Sequence, residues 1–385
     1  MRRMLLAVLA SSLVICQSAL ATWSIVVVNT RTGEVAVATA TCNTNSDLLR
    51  TVPLIRVGLG AAAAQSFADG TGENRLLIWN ELEKGTPPEI ILELLRDQDG
   101  GHETRQYGIV DRIGRRVTFT GQQDGPWAGG VAGDFGELHY AIQGNVLAGQ
   151  PVVDKAEAVF LDTRGDLAEK LMAAMEAAAA MGGDGRCSCR PAQPDDCGAP
   201  PPKFEKSAHV GCMVIARLGD TDGTCMNTGC ANGEYYMKLN IARQRRNDPD
   251  PVLQLRKAFT EWRRDWEGEP DHLLSRATFT RRALPADGTS QTTLVIELID
   301  WRGLPVPTGG ADLVVEHAGT SAGSSTIGEI TDRGAGLFEV TLTAGTIPGD
   351  DELVLRIEDA LVPVTLFPNP RLHLFQTPAP TKRGR

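Results

Sequence analysis

A hydroxyl and a free α-amine on one residue make a self-contained nucleophile, and Thr22 is where this chain can produce that pair. Arg2 and Arg3 precede an apolar run over residues 4–15, and Ala19-Leu20-Ala21 follows with the small side chains that a signal peptidase reads. The 12-residue run is too short to span a bilayer, which takes about 20 residues. Cleavage after Ala21 would make Thr22 the first residue. A threonine hydroxyl is a weak nucleophile at neutral pH until a base within hydrogen-bond reach takes its proton. An α-amine, with a reference pKa of about 7.7–8.0, is partly neutral there and can serve. The plainer alternative is that Thr22 only opens the first strand of a secreted sheet protein, since 22–29 (Thr-Trp-Ser-Ile-Val-Val-Val-Asn) reads as a strand.

The cysteines offer a second kind of chemistry. Seven follow residue 21, and six of them (Cys187, Cys189, Cys197, Cys212, Cys225, Cys230) crowd into residues 187–230. In an exported chain disulfides are the first reading, and no C-x2-C knuckle repeats to suggest zinc. Spacing leaves the connectivity open. Cys42, alone in a strand of alanines and threonines, is expected to be a buried free thiol.

Composition narrows the function classes. The formal charge is −10 and no basic stripe occurs in the first 240 residues, which argues against a nucleic-acid role. Aromatics are 5% of residues, a poor basis for a carbohydrate-stacking surface. No second segment has the length and apolarity of a membrane helix, so the expectation is a protein that does not span a membrane and works in the periplasm or outside the cell. Neither a metal nor a cofactor is expected.

The elements that must position these residues follow from pattern. Residues 22–41 read as a hairpin, with 52–57 and 60–66 as a second strand pair; the run Ala61–Ala64 is read as strand rather than helix because glycines bracket it. Helices are expected over 73–84 and over 86–96, the latter with Thr86 as N-cap, Pro87 at N1 and Glu89 at N3. Strands at 105–111, 116–120 and 140–147, helices at 154–160 and 166–180, strands at 209–218 and 235–241, and a helix at 251–266 complete the region. Strands and helices in segregated runs indicate an α+β domain with antiparallel sheets.

Several stretches carry a family resemblance: 22–26 (Thr-Trp-Ser-Ile-Val), 57–65 (Val-Gly-Leu-Gly-Ala-Ala-Ala-Ala-Gln), 105–111 (Arg-Gln-Tyr-Gly-Ile-Val-Asp), 126–129 (Pro-Trp-Ala-Gly) and 143–149 (Gln-Gly-Asn-Val-Leu-Ala-Gly). The region 22–266 resembles domain of unknown function 1028, which is similar to the N-terminal nucleophile (Ntn) hydrolases. The resemblance implies a four-layer αββα sandwich and puts Thr22 at the position of the family's N-terminal threonine. It also exposes departures. Where related hydrolases carry an Asp and a Lys, this chain has Thr39 and no lysine between Thr22 and Glu83. Arg56 is the nearest basic substitute; it cannot accept a proton but can face an oxyanion or a substrate carboxylate. Gln65, ending the 60–65 strand, and Asn145 are the candidates for an oxyanion hole, Asn145 being equally readable as a bulge residue. His102 and His139 are read as solvent-facing and given no role.

After a linker at 267–290, short alternating strands separated by Gly-, Pro- and Asp-rich turns read as a β-sandwich over 291–368, followed by a disordered tail, 369–385. The segments 300–306 (Asp-Trp-Arg-Gly-Leu-Pro-Val) and 334–342 (Gly-Ala-Gly-Leu-Phe-Glu-Val-Thr-Leu) resemble bacterial Ig-like domains of the invasin type, which implies a spacer or an adhesion unit with a cell-surface or protein partner. The organisation expected is thus a signal peptide (1–21), an Ntn-hydrolase-like domain (22–266) with a disulfide-rich loop (186–232), and the Ig-like sandwich. Two functions remain open: an exported hydrolase acting on an amide bond of a peptide or small molecule, or a non-catalytic binding protein that keeps the fold.

Overall fold

The computed structural model describes residues 22–67, 69–307 and 311–376. The signal-peptide segment 1–21 and residues 377–385 of the expected tail lie outside the described residues. Strands β1 (Thr22–Asn29), β2 (Val35–Thr41), β3 (Pro53–Arg56) and β4 (Gly60–Ser66) open the chain, followed by helices α1 (Glu73–Lys84) and α2 (Pro88–Gln98). Strands β5 (Arg105–Asp111), β6 (Arg116–Thr120), β7 (Ala128–Phe135) and β8 (Leu138–Asn145) come next. Then come helices α3 (Pro151–Asp162), α4 (Leu167–Ala180) and the single turn α5 (Gly185–Ser188), strands β9 (Val210–Ala216) and β10 (Met237–Ile241), and helix α6 (Pro251–Asp265).

These strands form two antiparallel sheets, one ordered β10-β9-β2-β1-β8-β7 and the other β3-β4-β5-β6. Side chains alternate across a strand, so β1 sends Val26 and Val28 to one face and Trp23, Ile25 and Val27 to the other. The first set meets Val35 and Val37 of β2 and Ile55, Ala61, Ala63 and Val110 of the second sheet. The second set packs against Phe160, Leu171, Met175, Leu255 and Phe259 of α3, α4 and α6. On the far side of the second sheet, Leu54, Ala62 and Ile109 meet Ile78, Leu82, Ile91 and Leu95 of α1 and α2. Covering on both faces explains why β1 and β2 lack an exposed polar alternation. Alanines in β4 let it sit between sheet and helices without crowding, which overrides their helix propensity.

Caps fix the helix starts. Asp166 accepts from Glu169 N–H (3.0 Å) at α4, and Asp250 accepts from Val252 N–H (2.8 Å) at α6 with Pro251 in the first turn. The start of α2 differs from expectation: Pro88 opens the helix, and the Thr86 hydroxyl donates instead to Glu81 Oε2 (2.6 Å) of α1. His102 is also not solvent-facing; it is buried and stacked on Phe119, with ring centroids 4.1 Å apart.

The C-terminal region has strands β11 (Arg276–Phe279), β12 (Ala283–Pro285), β13 (Gln291–Glu297), β14 (Leu313–His317), β15 (Ser325–Gly334), β16 (Leu337–Ala344), β17 (Gly349–Ile357), β18 (Val364–Thr365) and β19 (Arg371–Phe375). One sheet runs β11-β13-β16-β15; the other runs β12-β19-β17-β14, with β18 paired to β17. Leu294, Ile296, Val340 and Leu342 meet Leu355, Ile357, Leu372 and Leu374 between them. Two expectations are corrected here. The linker 267–290 contains β11 and β12, and residues 371–375 of the tail form β19. β11 pairs with β13, β19 with β17 and β12 with β19, so ladder hydrogen bonds tie these short segments into the two sheets.

Candidate functional site: the Thr22 end of the sheets

Thr22 begins β1 and pairs in register with Asn145, the last residue of β8. Across the sandwich, Gln65 of β4 donates from Nε2 to Thr22 O (2.9 Å) and to Gln106 Oε1 (2.7 Å). Gln106 Oε1 also accepts from Asn145 Nδ2 (2.9 Å), and Gln106 Nε2 donates to Gly144 O (2.8 Å). Ser24 Oγ donates to Gln65 Oε1, with Thr39 Oγ1 3.0 Å away as a second acceptor; Thr39 itself donates to Trp23 O (2.9 Å). Gln65, Gln106 and Asn145 are at most 2% exposed. The network thus clamps the first residue of β1 to both sheets from beneath.

The backbone is bent on both sides of Thr22. Ser66 directly follows Gln65 at φ 72°, and Val146 directly follows Asn145 at φ 52°. Left-handed backbone in a β-branched valine is a strong outlier, and such strain collects at sites where geometry is held for a purpose. Asn145 Oδ1 and both side-chain polar atoms of Gln143 have no hydrogen-bond partner among the described residues. A buried polar group left so costs about 1–3 kcal/mol.

A cavity of about 440 Å³ opens at this end, lined by Thr22, Gln65, Ser66, Cys42, Thr44 and Arg186 among others. Arg186 is its one lining cation among the described residues. It is held by a fork to Asp184, Nη2–Oδ2 at 2.8 Å and Nε–Oδ1 at 3.1 Å, and Asp184 also accepts from Cys42 N–H (2.7 Å). The disulfide Cys42–Cys187 ties the end of β2 to α5, the turn that carries Arg186. Cys42 is therefore not the free thiol that its isolation in sequence suggested. Among the described residues, Cys189–Cys197 and Cys225–Cys230 are the other disulfides and the free cysteine is Cys212, buried on β9 where desolvation pushes its thiol up.

Of the four sequence candidates, Thr22, Gln65 and Asn145 come together and Arg56 does not. Arg56 sits at the other end of β3, its guanidinium paired with Asp222 (3.1 Å) and Glu83 (3.2 Å) and stacked 4.4 Å from the Trp79 ring. Two carboxylates and an indole match its charge there, away from the cavity that Thr22 lines. Sequence reasoning missed Gln106 and Arg186. Gln106 sits beside Arg105 at the polar start of β5, where nothing in the pattern singles it out; Arg186 was hidden among the clustered cysteines.

One further acid lies close by. Asp124, 2% exposed, has its carboxyl pushed up to about 6 by burial, against the lowering effect of its bond from Gly121 N–H (3.1 Å).

Residues 22–192 match the model of the family of unknown function DUF1028, and residues 271–362 match invasin domain 3. The N-terminal region is thus a DUF1028-family domain, and the C-terminal region a bacterial Ig-like domain of the invasin kind. Among solved structures, a DUF1028-family protein from Silicibacter pomeroyi is 19% identical, with 63% of this chain and 88% of that one covered and a TM-score of 0.44. The Yersinia pseudotuberculosis adhesin InvE is 22% identical over 27% of each chain (TM-score 0.23), and InvD of the same organism 24% identical over 26% and 27% (TM-score 0.22). No curated protein matches the chain. The three disulfides and the invasin-type domain are consistent with an extracytoplasmic protein. No helix among the described residues is long and apolar enough to cross a membrane.

Proposed function

We propose that residues 22–266 form a four-layer αββα sandwich of the Ntn-hydrolase type and that the exported chain, freed at Thr22, hydrolyses an amide bond. The observation that carries this reading is the position of Thr22, at the first residue of a central strand and on the wall of a cavity, clamped by Gln65 through its carbonyl.

In the proposed reaction the neutral amine takes the Oγ proton as Oγ bonds to the carbonyl carbon of the substrate amide. The carbonyl electron pair moves onto oxygen. Arg186 faces the negative charge of the cavity contents, in the role that Arg56 is too distant to play. Collapse of the tetrahedral species breaks the C–N bond, and the leaving amine carries off the proton held by the ammonium. Water then attacks the resulting ester with the same amine as base, releasing the acid and restoring the hydroxyl. The buried Gln65–Gln106–Asn145 network has no proton to exchange near neutral pH, so its part is to hold geometry.

Sequencing the N-terminus of the exported protein tests the premise. The mature chain should begin at Thr22; a residue left in front would turn the base into an amide, and the hydrolase reading would fall. The invasin-type domain supports a second reading, that the protein docks to a surface or protein partner through residues 271–362. The two are compatible, with the sandwich presenting the hydrolase at a surface.

A further inference from the structure

A second cavity, of about 530 Å³, adjoins the first and shares Cys42, Thr44 and Arg186 with it as lining. Its remaining wall includes Lys206, His209 and Arg246, with Glu205 the one lining acid. Lys206 and Arg246 are the cations this cavity adds, since Arg186 is already paired with Asp184, in a chain of net charge −10. The loop that supplies Arg246 is bound to the rim of the first cavity: Asn45 N–H donates to Gln244 O (2.9 Å) and Arg243 N–H to Ser46 O (2.7 Å). Lys206 Nζ in turn donates to Arg246 O, so lysine and arginine are held on the same side. His209 is 7% exposed, and its Nδ1 has no hydrogen-bond partner among the described residues.

We propose that this second cavity is an anion subsite, in which Lys206, Arg246 and His209 hold a carboxylate or phosphate group of a ligand that reaches past Arg186 to Thr22. Taken with the hydrolase reading, on which this part rests, the substrate class becomes amides that bear an anionic group on one side of the scissile bond. The cationic surroundings leave a mark on His209: burial lowers its proton affinity, and Lys206, Arg246 and Arg186 lower it further against the opposing effect of Asp250. An anion bound beside the ring would reverse that effect.

The test is a binding measurement, so it does not depend on turnover. The His209 ring resonance, assigned by its loss in His209→Gln, is followed by NMR across pH in the full mature chain. Titration with inorganic phosphate, with succinate and with neutral acetamide supplies the probes. Phosphate or succinate should shift the resonance saturably and raise the His209 pKa, while acetamide should do neither. The tighter of the two anions names the group that the site takes. Lys206→Ala/Arg246→Ala, both at the cavity rim, should weaken that binding at least about tenfold, which is one factor of ten in Kd. An unchanged Tm would show that the fold survives. No saturable shift with either anion, or a shift indifferent to the double substitution, overturns the subsite. Thr22→Ala should bind the anions as the parent does. Anion binding without any reaction at Thr22 would therefore count against the hydrolase reading alone.

Discussion

The two ends of the β3–β4 pair are built on opposite principles. At the Arg56 end, a guanidinium is surrounded by two carboxylates and an indole, and its charge is matched. At the Gln65 end, seven hydrogen bonds lock a polar cluster in place, yet Asn145 and Gln143 keep polar atoms unmatched and the adjoining backbone is strained at Ser66 and Val146. Arg56 keeps a buried Nε unmatched as well, so what separates the two ends is that one of them holds Thr22. Charge alone pointed to Arg56, but Arg186, itself paired with Asp184, is the guanidinium that lines the cavity beside Thr22.

The comparison can be broken at several points. The largest effect is expected from Cys42→Ser/Cys187→Ser. The bond spans 145 residues, and loop entropy alone assigns such a crosslink about 5 kcal/mol, so denaturant midpoints should fall sharply. The same variant should loosen Arg186, since α5 would lose its tie to β2. Gln106→Leu should cost about 3 kcal/mol by chemical denaturation, because Gln65 and Asn145 would lose a buried acceptor together. A cost under about 1 kcal/mol would show that the cluster is not the clamp described here.

Asp124 gives a pH-dependent contrast. Its carboxyl binds its proton more tightly folded, at about 6, than unfolded, at about 3.9. Its contribution to stability is therefore complete below the unfolded value and lost as pH rises through 6. Asp124→Asn should abolish that part of the slope, making the variant relatively more stable at pH 8 than at pH 4, by on the order of 3 kcal/mol. Parallel stability curves for the two proteins would contradict the assignment. The smallest effect belongs to Arg56→Ala, which should cost about 1–2 kcal/mol through lost stacking and ion pairing and leave any reaction at Thr22 unaltered. A change in that reaction would return Arg56 to the site.

The strands β1 to β6 and the helices α1, α4 and α6 were legible because their apolar spacing or small-residue runs match the pleat or the helical turn. Strand β7 was not. Its glycines let it lie against the Gln143 and Tyr140 side chains of β8, where a Cβ would collide, and such a sequence carries no alternation. That Thr22, Gln65 and Asn145 would come together was readable, since all three fall in the stretches that carry the family resemblance. Arg186 was not, because its meaning comes from the pairing of Cys42 with Cys187, and spacing does not reveal pairing. The same gap produced the mistaken free thiol, which the fold assigns to Cys212 on a strand covered on both faces.

The central claim is that Thr22 reacts through its own amine and hydroxyl. Exposing the exported protein to an epoxyketone, which closes a ring only with both groups of an N-terminal threonine, tests this most directly. Intact and peptide mass spectrometry should find one adduct, located on Thr22, and none on folded Thr22→Ala. A chain that begins at Thr22, is folded, and takes up no adduct would contradict the account.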